Sequence, residues 1–297
     1  HRDLHSFPTR RSSDLFTKKK KVKIGLALGG GGARGIGHIG VLKAFEELGI
    51  KIDYIAGTSA GSLVGALYAG GYDAKQLENI AKNIKEKDIR TSRFFWRPSS
   101  SESIENLIKK CFNKDDVTFA DLSIPMSVVS VDLVSGKEID FMAGDLAKAV
   151  AGSCSVPGIF KPVIYGDYHL VDGGLCNNVP ANIVHNMGAD IVIAVDVNST
   201  RGQGTSSLKI GQLLSSTIGV LMQRTVEAKL EYADLVLTPN LTAFSSSKLD
   251  GVEEMIAEGY NSVMAQKDLI CRLTKKKQKK KVRLLWQKIE KERTLSK

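Results

Sequence analysis

Apolar and polar positions first repeat with the period of a strand and then with the period of a helix. Residues Val22 to Leu28 alternate around apolar positions and predict a buried strand. From Ile36 to Leu48 the apolar residues recur three and four positions apart, which predicts an amphipathic helix that ends at Gly49. The glycine-rich segment 29–35 lies between the two elements. The pattern therefore predicts a strand, a glycine loop and a helix in succession.

The same succession is predicted between residues 52 and 71. A short apolar run at 52–56 favours a strand, and the small and apolar residues at 62–71 favour a helix. Between them lies Gly57-Thr58-Ser59-Ala60-Gly61, a G-x-S-x-G sequence. In this context the sequence predicts a nucleophile elbow with Ser59 on the turn, whereas a flexible Ser/Gly turn is the alternative. Two glycines leave room where strand and helix pass close together, and these are Gly57 and Gly61.

The remainder of the chain alternates between strand and helix patterns. Strands are predicted at 125–134, 138–142, 163–165, 168–171, 190–197 and 234–238, and helices at 73–84, 101–112, 145–155, 209–231 and 252–273. The hairpin formed by 163–171 leads directly into Asp172-Gly173-Gly174, which by itself is also compatible with a plain turn. The aromatic residues Phe94, Phe95 and Trp96 fall in a predicted loop, where they either fill the core or line an acyl-chain channel.

The glycine loop permits two chemical interpretations. Gly30, Gly32 and Gly35 satisfy G-x-G-x-x-G, but a dinucleotide site also needs an acidic residue at the end of the next strand. Asp53 has about the required spacing, yet it begins the elbow strand, so this interpretation is disfavoured. The loop instead predicts an anion site that serves Ser59.

In that interpretation the backbone of the loop would stabilise an oxyanion. The N–H groups of Gly31 and Gly32 are the predicted donors, because glycines let amides turn inward without interference from a Cβ atom. Arg34 would add positive charge, and a surface arginine at a helix start is its alternative role.

The sequence offers few histidines that could activate Ser59. His38 follows the glycine loop on a predicted helix, His185 lies in a helical run, and His169 lies on a solvated strand. A carboxylate acting directly on the serine is the alternative, but an Asp near its reference pKa of about 3.9 is a weak base for an alcohol. Such a group has to be desolvated and has to rely on oxyanion donors, which suits ester hydrolysis.

Four stretches together resemble the patatin-like phospholipase family of bacteria. They are the glycine loop with Arg34, the Gly-Thr-Ser-Ala-Gly turn, the stretch Ser155 to Val163 and Asp172-Gly173-Gly174, in the order and spacing of the family. The resemblance covers about Lys23 to Ile270. The motif glycines that it includes are Gly30, Gly35, Gly57, Gly61, Gly173 and Gly174.

The resemblance implies both a fold and a mechanism. The fold is α/β, a three-layer α/β/α domain with a central, mostly parallel sheet. The catalytic pair is Ser59 as nucleophile and Asp172 as proton acceptor, with an oxyanion hole from Gly31 and Gly32 assisted by Arg34. The reaction is lipid acyl hydrolysis through an acyl-enzyme, and neither a metal nor a cofactor takes part.

Charge divides the chain into three predicted parts. The net charge is +10, and residues 275–297 contribute eleven Lys/Arg and two Glu, hence +9. Residues 1–15 resemble one reading frame of a sequencing adapter and are treated as a non-native leader, with a natural disordered leader as the alternative. The acyl hydrolase domain is predicted at 22–273. Residues 274–297 are predicted to form a basic amphipathic tail that lies on anionic lipid, whereas a solvated end and nucleic-acid contact are its alternatives.

Cysteine and hydropathy patterns bear on location. The four cysteines have no C-x-x-C spacing, so a zinc site is not predicted. No apolar stretch of about 18 residues predicts a membrane span. The expected location is the cytoplasm, with peripheral contact to the inner membrane face, and no nucleic-acid partner is expected.

Three functions follow as hypotheses. The first is a serine hydrolase that cleaves carboxylic esters of phospholipids or lysophospholipids. The second is a catalytically weak lipid-binding or regulatory protein of the same fold. The third is a nucleotide-binding protein that uses the glycine loop for phosphate.

Overall fold

A central eight-stranded sheet organises the computed structural model, which describes residues 21–84, 98–199 and 210–277. Its strands are β1 (Ile24–Leu28), β2 (Tyr54–Thr58), β3 (Met126–Asp132), β4 (Glu138–Phe141), β5 (Val163–Tyr165), β6 (Tyr168–Asp172), β7 (Ile191–Val195) and β8 (Leu235–Leu237). They pair in the order β5-β6-β3-β2-β1-β7-β8, and β4 also pairs with β3. The pairs among β3, β2, β1, β7 and β8 are parallel, and those of β4, β5 and β6 are antiparallel. The sheet is therefore mostly parallel, as predicted.

Helices follow most strands at the positions that the periodicity predicts. They are α1 (Gly37–Glu47), α2 (Ala60–Ala69), α3 (Ala74–Asn83), α4 (Glu102–Phe112), α5 (Leu146–Ser153), α6 (Gly174–Asn177), α7 (Ala181–Asn186), α8 (Ile210–Arg224), α9 (Glu227–Leu230) and α10 (Val252–Met264). Two 3-10 turns occupy Gly32–Ile36 and Phe119–Asp121. Asp73 caps α3, because its carboxylate accepts the N–H of Gln76 at 2.7 Å.

Alternate residues of the central strands face two different layers of helices. Leu26 and Leu28 of β1 belong to the larger core, to which α1 to α5 and α10 contribute. Ala27 faces the other way, into a smaller core with Ala181 and Val184 of α7. Because successive strand residues point to opposite faces, this alternation fixes a helix layer on each side of the sheet. The three-layer α/β/α arrangement is confirmed.

Two long predicted helices are interrupted. The segment predicted as one helix over 209–231 is interrupted at 225–226, between α8 and α9. The Thr225 hydroxyl donates to the Met222 carbonyl at 2.8 Å and accepts the Asn178 N–H at 3.0 Å, so it competes with the helical pattern and ties the chain to another segment. The helix predicted at 252–273 breaks at 265–266 and resumes over 267–277. Both single-helix predictions are wrong.

Some predictions fall outside the described ranges. These are the leader at 1–15, the aromatic residues Phe94, Phe95 and Trp96, and the tail beyond residue 277. Within the described ranges, every helix is too short or too polar to cross a bilayer.

Helices α1 and α10 pack with their backbones nearly in contact. A Cβ atom at Gly40 of α1 would collide with the Ile256 carbonyl oxygen and would lie 2.6 Å from the Tyr260 nitrogen. A Cβ atom at Gly259 of α10 would collide with the carbonyl oxygen of Gly37. Glycine therefore sets the distance between these two helices.

Gly40→Ala should lower the free energy of unfolding by about 2 kcal/mol, because the added methyl group forces the helices apart. Urea unfolding measures this change. Gly219→Ala on α8 is the matched control, since a Cβ atom there meets nothing within 4 Å, and it should keep or raise stability by up to about 1 kcal/mol. Equal unfolding midpoints for the two variants would contradict the packing argument.

Candidate active site

Ser59 lies on a strained turn between β2 and α2. Its φ of 52° and ψ of −128° put a non-glycine residue at positive φ. The strand and the helix pass close together at this turn. A Cβ atom at Gly57 would lie 2.6 Å from the Gly61 carbonyl oxygen, and a Cβ atom at Gly61 would collide with the Leu28 carbonyl oxygen. The predicted nucleophile elbow is therefore present.

Hydrogen bonds on both sides of Ser59 hold this conformation. The Ser59 N–H donates to Ser153 Oγ at 2.9 Å, and the Ser153 hydroxyl donates to the Val129 carbonyl at 2.5 Å. Because the only proton of that hydroxyl is directed to Val129, its lone pairs remain for the Ser59 amide. On the other side, the Ser62 hydroxyl donates to the Ser59 carbonyl at 2.7 Å.

Strand register brings Asp172 to Ser59. Thr58 of β2 pairs with Val129 of β3, and Asp172 of β6 pairs with the next residue of β3, Ser130. Strand β4 also pairs with both of these β3 residues and occupies the opposite edge. Strands β2 and β6 therefore share one edge of β3 and end against each other. Ser59 and Asp172 lie at these two strand ends.

The Asp172 carboxyl group is buried and only partly satisfied. Its Oδ1 accepts the Gly174 N–H at 2.8 Å, whereas Oδ2 has no hydrogen-bond partner among the described residues. Burial raises the pKa of Asp172 to about 6, and the Ser59 hydroxyl and the Gly174 N–H act in the opposite direction. The Ser59 hydroxyl is thus close enough to the carboxyl to lower its pKa.

The glycine loop contains two amides that have no acceptor in the part of the chain that the structure describes. The N–H groups of Gly29, Gly30 and Ala33 donate to backbone carbonyls of other segments at 2.9 to 3.0 Å. Those of Gly31 and Gly32 donate to no acceptor among the described residues. Gly32 has a φ of +58°, which is a conformation that favours glycine.

One cavity of about 350 Å³ joins these groups. Ser59, Asp172 and the loop glycines Gly30, Gly31, Gly32 and Gly35 all line it. The other walls are largely aliphatic side chains of α2, α3 and α4, among them Leu63, Leu67, Leu77, Ile80, Ile104 and Leu107. The residues that carry the hydroxyl, the carboxyl and the two amides therefore border one space with largely aliphatic walls, which suits an apolar chain with a carbonyl group.

Arg34 does not line this cavity. Its Nε donates to the Phe244 carbonyl at 2.9 Å and its Nη1 donates to Asn198 Oδ1 at 2.8 Å. Burial lowers the pKa of the guanidinium. The side chain fastens the glycine loop to two distant segments, one of which contributes Asn198 to the cavity. Direct assistance of Arg34 to an oxyanion stays a prediction.

The remaining motif glycines mark close approaches around the pair. A Cβ atom at Gly173 would collide with the Val129 carbonyl oxygen, and one at Gly174 would lie 2.7 Å from Asn178 Oδ1. At Gly35 it would collide with Ala60 Cβ, directly beside Ser59. These positions leave no room for a side chain.

His38 is a buried structural residue. Its Nε2 lies 2.7 Å from the Gly29 carbonyl oxygen, and burial lowers its pKa to about 4, so the ring is neutral and donates this hydrogen bond. His169 is exposed on β6. No group of three His, Cys, Asp or Glu side chains among the described residues is placed to hold a metal ion.

Several cavity or support residues have no signal in the sequence. Ser153 contacts Ser59 across 94 positions, and Asn178 and Met222 line the cavity from separate segments. Their roles depend on long-range contacts, which local patterns do not reveal.

The comparison with known families agrees with this geometry. A family model described as Patatin-like phospholipase matches residues 26–185. The chain belongs to the patatin-like phospholipase family. The family model thus includes the elbow, the glycine loop and Asp172.

Relatives in this family are longer than the matched region. Neuropathy target esterase sws of Drosophila melanogaster is 35% identical over 188 residues, which are 59% of this chain and 13% of that protein. An uncharacterized NTE family protein of Mycobacterium bovis is 35% identical over 185 residues, 60% of this chain and 50% of that protein. The chain therefore spans half or less of the length of these two patatin-like relatives.

Two solved structures share the fold. VipD from Legionella pneumophila has a TM-score of 0.55 at 13% identity, covering 86% of this chain and 67% of that chain. Human GIVD cytosolic phospholipase A2 has a TM-score of 0.51 at 13% identity, covering 89% of this chain and 60% of that chain. These likenesses support the patatin-like fold.

Asp172→Asn should stabilise the protein at pH 8. The folded-state pKa of Asp172 is raised from 3.8 to about 6, so the fold favours the protonated carboxyl. The contribution of this group to the free energy of unfolding is complete below pH 3.8 and is lost as the pH rises through 6. At pH 8 the variant should therefore gain about 3 kcal/mol in free energy of unfolding, and the gain should shrink towards pH 4. Urea unfolding across this range measures the gain.

The matched control is Asp132→Asn, which should have the opposite sign. Donors led by the Ser135 hydroxyl hold the pKa of Asp132 at about 2, so its ionised form stabilises the fold above pH 3.8. A gain for Asp172→Asn that did not vary with pH would contradict the assignment of a buried, raised-pKa carboxyl.

Proposed function

We propose that the protein is a serine lipid acyl hydrolase that cleaves carboxylic esters of phospholipids or lysophospholipids. The observation that carries this proposal is the meeting of Ser59 and Asp172 at the ends of β2 and β6, beside a cavity with aliphatic walls. Membership of the family and the printed names of the relatives, an esterase and a phospholipase, point the same way. We assign the activity to the domain at 22–273.

In the acylation step, Ser59 Oγ attacks the ester carbonyl carbon while its proton passes to Asp172. The tetrahedral oxyanion that forms accepts hydrogen bonds from the N–H groups of Gly31 and Gly32, which donate to no other acceptor within 21–84, 98–199 and 210–277. The C–O bond to the leaving alcohol then breaks, and Asp172 returns the proton to that oxygen. An ester of Ser59 with the fatty acid remains.

In the deacylation step, Asp172 takes a proton from a water molecule as the water attacks the acyl-enzyme. The same two amides stabilise the second oxyanion, and the proton returns to Ser59 Oγ as the fatty acid leaves. With a pKa of about 6, Asp172 is ionised at neutral pH and is a stronger base than an ordinary Asp. Desolvation therefore suits the carboxyl to this role.

Esters fit this pair better than amides. An alkoxide leaving group needs less protonation than an amine, and Asp172 is the acid available at the site. The aliphatic walls of the cavity would hold the acyl chain and exclude water from it.

A catalytically weak lipid-binding protein is the second candidate. The observation that favours it is Asp172 Oδ2, which lacks a close donor among the described residues. Such a protein would bind a lipid in the cavity without releasing a fatty acid.

We also propose that the protein contacts the membrane peripherally through 275–297. This segment carries a charge of +9 and includes Trp286, a composition typical of interfacial helices on anionic lipid.

A fluorophosphonate should label Ser59 covalently, and Ser59→Ala should abolish both labelling and fatty-acid release. Asp172→Asn should slow fatty-acid release by about a thousandfold or more, because the proton acceptor is lost. Intact-protein mass spectrometry and a fatty-acid assay with lysophosphatidylcholine measure these effects.

The matched control for this experiment is Ser247→Ala, which removes another serine hydroxyl from the cavity lining and should leave both readouts unchanged. Lipid binding by the wild type without label or fatty-acid release would favour the second candidate.

Ser153→Ala should reduce kcat about tenfold or more while KM changes little, because the buried Ser59 N–H loses its acceptor and the elbow loses a support. The rate of fluorophosphonate labelling should fall in parallel. Steady-state kinetics with lysophosphatidylcholine provide the test.

Ser155→Ala is the comparison for this positioning role. Ser155 is equally buried two positions away, and its hydroxyl donates to the Ala151 carbonyl at 2.7 Å and pairs with Ser101 at 2.6 Å. It should cost similar stability, about 1 kcal/mol, but retain kcat. An equal loss of kcat in both variants would contradict a specific positioning role for Ser153 and would indicate a general contribution to packing.

A further inference from the structure

Helix α8 carries apolar residues on two opposite faces. Ile218, Gly219 and Met222 line the catalytic cavity. Leu213, Val220 and Leu221 are 53%, 59% and 54% exposed. At 3.6 residues per turn the two sets fall on opposite sides of the helix. One side thus forms a wall of the cavity, and the other faces outward with three large aliphatic side chains.

The outward face of α8 carries a cation at its end. Residues 210–223 include no charged residue, and Arg224 ends the helix. Arg224 is exposed and lies four positions after Val220, so it shares the outward face. Near the cavity, exposed Lys248 and exposed Asp250 lie on either side of Leu249, which lines it. The first acidic residue after α8 is Glu227, on α9.

We propose that the outward face of α8 docks the protein on an anionic phospholipid bilayer, next to the catalytic cavity. An aliphatic stripe that ends in a cation is the pattern of helices that lie in the membrane interface. The proposal rests on the proposed function, because it is a lipid substrate that must pass from the bilayer to Ser59.

The position of α8 would place a docked bilayer close to the catalytic cavity. A helix with its side chains is about 10 Å across, so a bilayer against the outer face is separated from the cavity by one helix. A lipid could then enter without a long passage through water. Arg224 on the same face favours an anionic surface over a neutral one.

Val220→Glu and Leu221→Glu test this surface in the full chain. Co-sedimentation with vesicles of phosphatidylcholine and phosphatidylserine should fall about tenfold for each variant. Each substitution replaces an aliphatic contact with the bilayer by a negative charge that the anionic lipid repels. Val134→Glu is the matched control, because Val134 is 75% exposed and lies on the turn between β3 and β4, not on α8. It should partition like the wild type.

Activity separates this proposal from the function on which it rests. Hydrolysis of a water-soluble short-chain ester and fluorophosphonate labelling should be unchanged in all three variants, while hydrolysis of vesicle lipid should fall with partitioning in the α8 variants alone. If the wild type hydrolyses no ester, the proposed function fails, and the sedimentation result still decides the docking surface.

Three results would overturn docking by α8. The first is partitioning of the α8 variants equal to that of the wild type, with all binding lost on deletion of 278–297, which would assign docking to the tail. That deletion keeps Lys277, which forms an ion pair with Asp234 at 2.9 Å. The second is a shift from dimer to monomer in the α8 variants on size-exclusion chromatography, which would make this face an interface between copies. The third is an equal loss of soluble-ester hydrolysis, which would limit α8 to the cavity wall.

Discussion

The backbone of Ser59 adopts a conformation that few non-glycine residues adopt, and the surrounding structure has to hold it there. Strained residues of this kind cost about 1 to 3 kcal/mol and persist only when neighbouring contacts over-determine them. Here the neighbours are the glycine contacts that let β2 and α2 pass almost in touch, and the Ser153 hydroxyl that takes the Ser59 amide. That amide is committed to Ser153, whereas the amides of Gly31 and Gly32 donate to no acceptor among the described residues.

The same cavity contains a second unfavourable element. The Asp172 carboxyl is buried with one oxygen unpaired among the described residues, which penalises its ionised form in the folded protein. The large core on one face of the sheet offsets this penalty. Burial of Asp172 therefore has two opposite effects. It lowers the free energy of unfolding when the carboxylate is ionised, and it raises the pKa, which makes the carboxylate a stronger base.

Local signals made much of the fold predictable. The period-two strands, the cap at Asp73 and the G-x-S-x-G turn each depend on residues within a few positions of one another, and the structure has all three. The break at Thr225 was not predictable, because its cause is a hydrogen bond from Asn178, 47 positions away. The partners of Arg34 and the role of Ser153 likewise depend on segments that meet only in the folded chain. The motifs located Ser59 and Asp172, but the register that joins them is a property of the sheet.

Because of this register, the strands that position Ser59 and Asp172 are separate from the helices that line the cavity, so the two can change independently in evolution. The spacing of Ser59 and Asp172 follows from backbone pairing along one edge of β3, with Thr58 opposite Val129 and Asp172 opposite Ser130. The aliphatic walls come from helices α2, α3 and α4. Substitutions in those helices can reshape the cavity while the hydroxyl and the carboxyl keep their places. Under the proposed function, descendants of such a scaffold can therefore diversify in the lipids they accept while the reacting groups stay the same.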